Sequence, residues 1–209
     1  MTGSLPLKLA RLGANLLAHP RYASRYWRHN VIHHPSPLEL EMPWFSYAAI
    51  DFLSGFVQPS MTVGEYGSGG STVFFARRAR AVYSVEDNPE WYERVCQALN
   101  QKNLPNAHVR LIPFDFKNPV GFEKSAYLHG LPEEPLDIIV IDGSEEWTQV
   151  RPVCFRHAQA YVKPGGVIIV DDSWRYPELR EKHRAKKHMI FQSAGPGRPG
   201  VTSTDVFFY

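Results

Sequence analysis

The sequence is poor in cysteine. Its 209 residues include two cysteines, Cys96 and Cys154, and both fall within helical patterns. Two unclustered thiols supply neither a disulfide scaffold nor the ligands of a structural zinc site. We therefore expect both side chains to be buried as small hydrophobic groups.

Long apolar runs and an excess of one charge are also lacking. No stretch reaches the roughly 20 apolar residues that cross a bilayer, and Pro6, Lys8 and Arg11 interrupt the early leucines, which is poor for a signal peptide. Lysine and arginine total 23 against 21 aspartates and glutamates, a net charge of +2. We expect a cytoplasmic protein without a transmembrane segment, and this balance disfavours nucleic acid as a partner.

A glycine-containing loop stands out against this ordinary composition. An acid, Glu65, precedes Gly67, Ser68 and Gly69, and a helical pattern follows directly. In such a loop, backbone N–H groups and a helix N-terminus approach a ligand closely. The next strand-like run ends in Glu86, where nucleotide-binding α/β domains place an acid for ribose hydroxyls. Loop and acid together predict one nucleoside site.

The loop departs from the dinucleotide-binding fingerprint, because Thr72 stands where the third glycine is expected. Two later stretches repeat the strand-then-acid form: one apolar run ends at Asp142, and a Pro-Gly-Gly turn feeds another that ends at Asp171 and Asp172. This order of motifs, over residues 60–209, resembles that of class I S-adenosylmethionine-dependent methyltransferases.

The resemblance implies S-adenosyl-L-methionine as the cofactor. Glu65 and the glycine loop would then hold the methionine part, Glu86 the ribose diol, and Asp115 the adenine amino group. Phe116 or Trp91 would cover the adenine face. The cofactor-binding residues implied in this way are Glu65, Gly67, Ser68, Gly69, Glu86, Asp115, Phe116 and Asp142.

The order of elements predicts an α/β fold, because strand-like and helical runs alternate after a helical N-terminal segment. The first five strand-like runs lie near residues 61–66, 81–86, 108–113, 136–141 and 166–171. We expect a Rossmann-like, doubly wound, mostly parallel sheet of about seven strands. The last two runs, 187–193 and 203–209, are joined by a loop too short for a parallel crossover, so they form an antiparallel C-terminal hairpin.

This pattern also predicts a division of the chain. Residues 1–57 would form a helical lid or oligomer segment, and residues 58–209 the S-adenosylmethionine-binding methyltransferase domain.

Three acids at neighbouring strand ends, Asp142, Asp171 and Asp172, form a candidate metal site. Such oxygen ligands fit Mg²⁺, which would acidify a substrate hydroxyl, and the set resembles metal-dependent O-methyltransferases acting on catechols and antibiotic sugars. However, Glu145 and Ser144 stand where those enzymes carry a lysine and a second aspartate. In the alternative interpretation, Asp142 binds the cofactor's amino group while the other two acids cap the strand end and the next helix.

Asp142 and Glu145 are the candidate catalytic residues. Glu145 lies on the loop that leaves the predicted active edge, and is a better candidate base than His157, which falls within a helical pattern. Arg175 and Arg198 are expected near the substrate mouth, which favours an anionic or polyhydroxylated small molecule.

Basic and aromatic residues alternate in the N-terminal segment, as in Arg21, Tyr22, Arg25 and Trp27. Such an arm could meet nucleic acid, an anionic membrane surface, the substrate or a second subunit; we favour a lid over the cofactor or a homo-oligomer contact.

The motifs together predict methylation of a small molecule at a hydroxyl. The alternatives are a non-catalytic nucleoside-binding or regulatory protein of the same fold and a dinucleotide-dependent oxidoreductase.

Overall fold

The computed structural model describes residues 4–209. Within them, the helices before the first strand are α1 (Leu5–Ala18), α2 (Pro20–Trp27), α3 (Pro37–Leu40) and α4 (Tyr47–Phe56). A π-helical turn, Arg28–Ile32, follows α2 directly. The later α-helices are α5 (Gly70–Ala76), α6 (Pro89–Gln101) and α7 (Val150–Ala158), and short 3₁₀ turns cover Phe122–Lys124, Ser173–Arg175 and Pro177–Arg180.

Seven strands form one sheet in the order β3-β2-β1-β4-β5-β7-β6. They are β1 (Thr62–Tyr66), β2 (Ala81–Glu86), β3 (Ala107–Leu111), β4 (Leu136–Ile141), β5 (Val162–Val170), β6 (Lys187–Ala194) and β7 (Val201–Phe208). The first five are parallel, and β7 lies antiparallel between β5 and β6. The predicted doubly wound sheet with an antiparallel C-terminal hairpin is confirmed.

The apolar runs of β4 and β5 place these strands at the centre of the sheet. Ile139 and Ile168 are fully buried, as expected for a parallel strand covered on both faces. β5 begins at Val162, earlier than predicted, because the strand absorbs the Pro-Gly-Gly turn. Gly165 takes a positive φ of 85° there, and the register against β4 is irregular.

The helices before β1 pack on one face of the sheet and share its core. Tyr22, Tyr47 and Leu53 belong to the same buried cluster as Val63 and Val82. A second cluster, which contains alternate residues of the strands, covers the other face. Because the N-terminal helices share a core with the sheet, a functional division between residues 1–57 and 58–209 stays a prediction.

Side-chain hydrogen bonds connect these helices to the C-terminal hairpin. The Asn15 side chain accepts from the Ala194 N–H at 3.0 Å, and the Ser46 hydroxyl donates to the Phe191 carbonyl at 2.8 Å. The N-terminal segment is therefore fixed against β6.

None of the helices within residues 4–209 has the length and apolarity that a bilayer crossing requires. Cys154 is buried and Cys96 is half-buried.

Candidate active site

An open cleft lies at the carboxyl ends of β1, β2 and β4. Its volume is about 490 Å³, and it is lined by Gly67, Ser68, Glu86, Asp87, Asn88, Trp91, Asp142, Gly143, Ser144 and Glu146. The strand order reverses between β1 and β4, and doubly wound sheets bind ligands at that point. The structure thus brings the predicted loop, Glu86 and Asp142 together.

The glycine loop depends on backbone conformations that favour glycine, with φ of 91° at Gly67 and 155° at Gly69. A Cβ on Gly67 would lie 2.9 Å from the Asp142 carbonyl oxygen, so the loops after β1 and β4 are in direct contact. The Trp91 ring lies against Gly69, and its Nε1 donates to the Ser68 carbonyl at 2.8 Å.

Glu65 lies beneath this loop and is fully buried. Its Oε2 accepts from the Thr72 and Ser84 hydroxyls, each at 2.7 Å, and the Thr72 oxygen accepts from the Gly69 N–H at 2.9 Å. Within residues 4–209 its Oε1 has no hydrogen-bond partner. Burial, partly offset by the hydroxyl groups, raises the pKa of Glu65 to about 7. Glu65 therefore supports the glycine loop through Thr72. A contact between Glu65 and the methionine part of the cofactor stays a prediction.

Glu86 connects β2, the loop and the start of α6. Its Oε2 accepts from the Ser68 N–H at 3.0 Å and the Ser68 hydroxyl at 2.7 Å. Its Oε1 accepts from the N–H groups of Asp87 and Asn88 at 3.1 and 3.0 Å. Four donors fill the acceptor sites of a carboxylate, so a ribose diol would have to displace the rotatable Ser68 hydroxyl.

The residues predicted to meet the adenine lie in different places. Phe116 is buried in the core, T-shaped against Tyr127 with ring centroids 5.3 Å apart, so its ring does not face the cleft. Asp115 is exposed, accepts from the Lys117 N–H at 3.0 Å, and is not among the residues lining the cleft. Trp91, the alternative to Phe116, does line it. Trp91 is therefore the aromatic wall of the cleft, because Phe116 is needed in the core.

A family model for the methyltransferase domain matches residues 65–173, just over half of the 209-residue chain. The chain belongs to the class I S-adenosylmethionine-dependent methyltransferase family. Among curated protein sequences, none matches it.

Solved structures of other methyltransferases share the fold. The O-methyltransferase from Bacillus cereus in complex with SAH is 20% identical, covers 88% of this chain and 95% of its own, and has a TM-score of 0.63. Cofactor-bound Rv0187 from MTB is 18% identical, with coverage of 100% and 98% and a TM-score of 0.61. An rRNA methylase from Streptococcus thermophilus is 14% identical, with coverage of 77% and 93% and a TM-score of 0.56.

Arginines hold the three acids that were predicted to bind a metal in this methyltransferase. Arg198 donates from Nη1 to Asp172 Oδ1 at 2.6 Å and from Nη2 to Asp171 Oδ2 at 3.0 Å. Arg151, on α7, places Nη2 3.0 Å from Asp142 Oδ1. We call these five residues the carboxylate–arginine cluster.

The oxygens that a cation would need are occupied. The Thr204 hydroxyl donates to the other oxygen of the fully buried Asp171, and the Thr202 hydroxyl donates to Asp172, each at 2.7 Å. Within residues 4–209, no group of three or more histidines, cysteines or acids could hold a metal ion. The predicted Mg²⁺ site on Asp142, Asp171 and Asp172 does not fit, because guanidinium and hydroxyl donors already occupy oxygens of these carboxylates.

The pKa values of the two adjacent acids of the cluster shift in opposite directions. Burial and the neighbouring Asp142 carboxylate raise the pKa of Asp171 to about 8. Burial would also raise the pKa of Asp172, but Arg198 and the Thr202 hydroxyl overcome it and lower that pKa to about 2. The geometry supports the alternative interpretation, in which Asp171 and Asp172 are structural groups at the end of β5.

Glu145, the predicted base, carries two ion pairs. Its Oε2 lies 3.0 Å from Arg175 and its Oε1 lies 3.4 Å from Arg151. Both oxygens therefore face cations rather than open space for a substrate hydroxyl. The His157 ring lies 4.8 Å from the Tyr161 ring at a tilt of 37°, and both residues line a separate cavity. The catalytic roles of Asp142 and Glu145 stay predictions.

Two further cavities flank Arg198. The basic cavity, about 190 Å³, is lined by Lys8, Arg11, Trp174, Arg175, Arg198, Pro199, Gly200, Val201 and Thr202. The histidine cavity, about 370 Å³, is lined by Tyr26, His29, Asn30, His34, Pro35, Trp44, Gly197, Arg198 and Pro199. Trp44 also lines a small cavity against Gly69 and Asp142, so its side chain borders both the histidine cavity and the cavity beside the glycine loop. The structure thus places both predicted mouth arginines, Arg175 and Arg198, in one cavity.

Three residues of this region were missed by the sequence reasoning. Asp87 lines the cleft, where burial and the Glu86 carboxylate raise its pKa to about 6. Its position directly after the strand-end acid was the available signal. Arg151 and Trp44 lie in segments that reach the site only through tertiary folding, so no local signal marks them.

We expect Glu86→Gln to weaken S-adenosylhomocysteine binding by about 1–3 kcal/mol, because an amide cannot accept from all four donors around that position. Isothermal titration calorimetry measures the change. Glu90→Gln, at an exposed acid in the first turn of α6, is the matched control. Unchanged affinity in a folded Glu86→Gln protein would remove Glu86 from the cofactor site.

Proposed function

We propose that this methyltransferase transfers the methyl group of S-adenosylmethionine to a hydroxyl of a small molecule that binds in the cavities around Arg198. The observation that carries the proposal is that neighbouring cavities share lining residues from the cleft to Arg198. Trp44 and Asp142 line the cavity beside the glycine loop, and Arg198, which contacts Asp172, lines both cavities on the other side.

The residues of the cleft fit the nucleoside donor. Gly67 and Gly69 leave backbone without side chains at the loop, and the buried Oε1 of Glu65 has no hydrogen-bond partner among the described residues. Asp142 borders both the cleft and the small cavity, which suits an acid that binds the amino group of the methionine part. The bound donor would supply an electrophilic methyl group, while the protein aligns it with the acceptor oxygen.

The basic cavity supports an anionic acceptor. Its lining contains Lys8, Arg11 and Arg175 besides Arg198, together with the Trp174 ring and no acid. Since Arg198 and Arg175 already pair with Asp172 and Glu145, the added attraction for an anion comes chiefly from Lys8 on α1. A carboxylate or phosphate on a ring that stacks near Trp174 would suit this cavity.

The N-terminal helices would form the lid of this site. The Tyr26 hydroxyl donates to the Arg198 carbonyl at 3.0 Å, and the Asn30 side chain accepts from the Arg198 N–H at 2.9 Å. These bonds hold the segment over the loop that carries Arg198. Exposed apolar side chains on the same helices, Leu5, Leu9, Leu17, Trp27 and Ile32, accord with the predicted homo-oligomer contact, which stays a prediction.

We propose that catalysis does not need a divalent cation, because Arg151 and Arg198 already occupy the carboxylates that would bind it. Alignment of the acceptor and removal of its proton are then the tasks left to the protein.

The test is methyl transfer from radiolabelled S-adenosylmethionine to a panel of hydroxylated aromatic acids and their neutral methyl esters, with and without excess EDTA. We expect transfer to a hydroxyl, at the same rate with and without EDTA. We also expect kcat/KM to be at least about tenfold higher for acids than for esters, because one charge-assisted hydrogen bond contributes about 1.5–3 kcal/mol.

Lys8→Gln should reduce the preference for acids, whereas Lys117→Gln, at an exposed lysine outside the basic cavity, should leave it unchanged. Loss of activity in EDTA with recovery in Mg²⁺ would contradict the metal-independent mechanism. Binding of S-adenosylhomocysteine without transfer to any acceptor would favour the non-catalytic alternative.

A further inference from the structure

His29 occupies an unusual position in the N-terminal segment. It lies within the π-helical turn Arg28–Ile32, is 9% exposed, and lines the histidine cavity. π-helical turns are rare and occur frequently at functional sites. The π-helical turn shifts the helical register by one residue. Here it places His29 in the lining of the cavity, together with Arg198 and Trp44.

The imidazole is held by one hydrogen bond. Its Nδ1 lies 3.1 Å from the Tyr47 hydroxyl, and Tyr47 is fully buried at the start of α4, so this partner is fixed. Among the described residues, Nε2 forms no protein hydrogen bond and remains for a ligand in the cavity. This is the arrangement in which one ring nitrogen orients the other.

Charge around His29 favours the neutral imidazole. Burial first, and then the neighbouring Arg25 and Arg28, lower the pKa of His29 from its ordinary 6.5. From the other packed elements, Tyr47 of α4 and Arg198 face the same region, as do Tyr26 of α2 and His34. These groups include no acid that would hold the imidazole protonated at neutral pH.

The two acids predicted to be catalytic pair with arginines. Glu145 pairs with Arg151 and Arg175, and Asp142 pairs with Arg151. We propose that His29 is the general base that removes the proton of the acceptor hydroxyl, with Tyr47 as the residue that positions it. This inference rests on the proposed function, since it assigns the base for transfer to a hydroxyl.

The step balances without a further reactant. The hydroxyl oxygen forms a bond to the methyl carbon while the carbon–sulfur bond breaks and its electron pair goes to sulfur. The hydroxyl proton goes to Nε2 of His29, and the imidazolium then loses a proton to solvent. The required tautomer has a proton on Nδ1, which donates to the Tyr47 oxygen, and a lone pair on Nε2.

The kinetic test is His29→Gln in the full chain, with the acceptor found in the hydroxyl panel. Removal of a general base should lower kcat by about 10²–10⁴-fold, with S-adenosylhomocysteine affinity by calorimetry unchanged. In the wild type, the rate should be level at neutral pH and fall only below pH 6.5, and this limb should be missing in the variant. His33→Gln, at an exposed neighbour outside the cavity, is the matched control. Retention of kcat and of the acid limb in His29→Gln would overturn the proposal.

A second measurement decides the question even if no acceptor is methylated. Nitrogen-15 NMR of histidine-labelled protein, assigned by comparison with His29→Gln, reports the protonation of both ring nitrogens. We expect His29 to be neutral at pH 7.5 with its proton on Nδ1, and Tyr47→Phe to abolish that preference. A protonated ring, or a proton on Nε2, would refute the base. Failure of methyl transfer alone, with the expected NMR result, would instead count against the proposed function.

Discussion

We expect Gly67→Ala to weaken S-adenosylhomocysteine binding by at least about 100-fold, which corresponds to about 2.7 kcal/mol. The new Cβ would lie 2.9 Å from the Asp142 carbonyl oxygen and 3.1 Å from the Gly143 Cα, and the residue would keep a positive φ of 91°. Backbone strain at this positive φ and the steric clash with the loop after β4 would both displace the glycine loop from its present conformation. Calorimetry on the purified variant measures the loss.

The control for this variant is Gly121→Ala. Gly121 also has a positive φ, 79°, but a Cβ there would meet nothing within 4 Å, so it reproduces the backbone strain without the collision. It should lower the melting temperature slightly and bind normally. If Gly67→Ala also bound normally, Gly67 would be only a turn residue and the pocket would be misplaced.

Arg198→Ala should lower the free energy of unfolding by about 3–5 kcal/mol, because it leaves buried carboxylates without their cation. Asp171 is fully buried and the Asp172 side chain is 4% exposed, and Arg198 donates to both. Urea denaturation monitored by circular dichroism measures the change. Arg175→Ala, which breaks only a half-exposed pair with Glu145, should cost less than about 1 kcal/mol.

The effect of Arg198→Ala should also depend on pH. The pKa of Asp172 is about 2 in the folded protein, below its ordinary 3.8, so its ion pair contributes fully above pH 3.8 and is lost as the pH falls toward 2. The gap in stability between wild type and variant should therefore narrow over that range. A constant gap would show that Arg198 acts through packing rather than through charge.

The positions of the strands along the chain were predictable because each strand has its own local sequence pattern. The runs of β2 and β4 have the predicted bounds, since an apolar stretch between turn residues and an acid defines them locally. The antiparallel hairpin was predictable because the loop between the last two strands is too short for a parallel crossover. The start of β5 was missed because a Pro-Gly-Gly sequence reads as a turn, whereas here the strand continues through it.

Only the parts of the candidate site that lie at the ends of strands could be predicted from the sequence. Glu86 and the glycine loop lie where the topology requires. The arginine partner of Asp171 and Asp172 could not be predicted, because a carboxylate's partner is set by tertiary contacts and Arg198 is distant from both acids in sequence. The same holds for His29, which no spacing connects to the cleft, and for Phe116, whose ring could face either the core or the ligand.

The bonds between the N-terminal helices and the hairpin bear on how the chain matures during synthesis. Asn15 and Ser46 form hydrogen bonds with β6. The N-terminal helices are synthesised first, but these contacts cannot form until β6 has been synthesised. Contacts of such long sequence separation form late. A nascent chain that ends before β6 would contain the whole glycine loop and β1 to β5, yet Asn15 and Ser46 would lack their partners on β6. Docking of the N-terminal helices would then be among the last steps of folding, after the parallel strands have been synthesised.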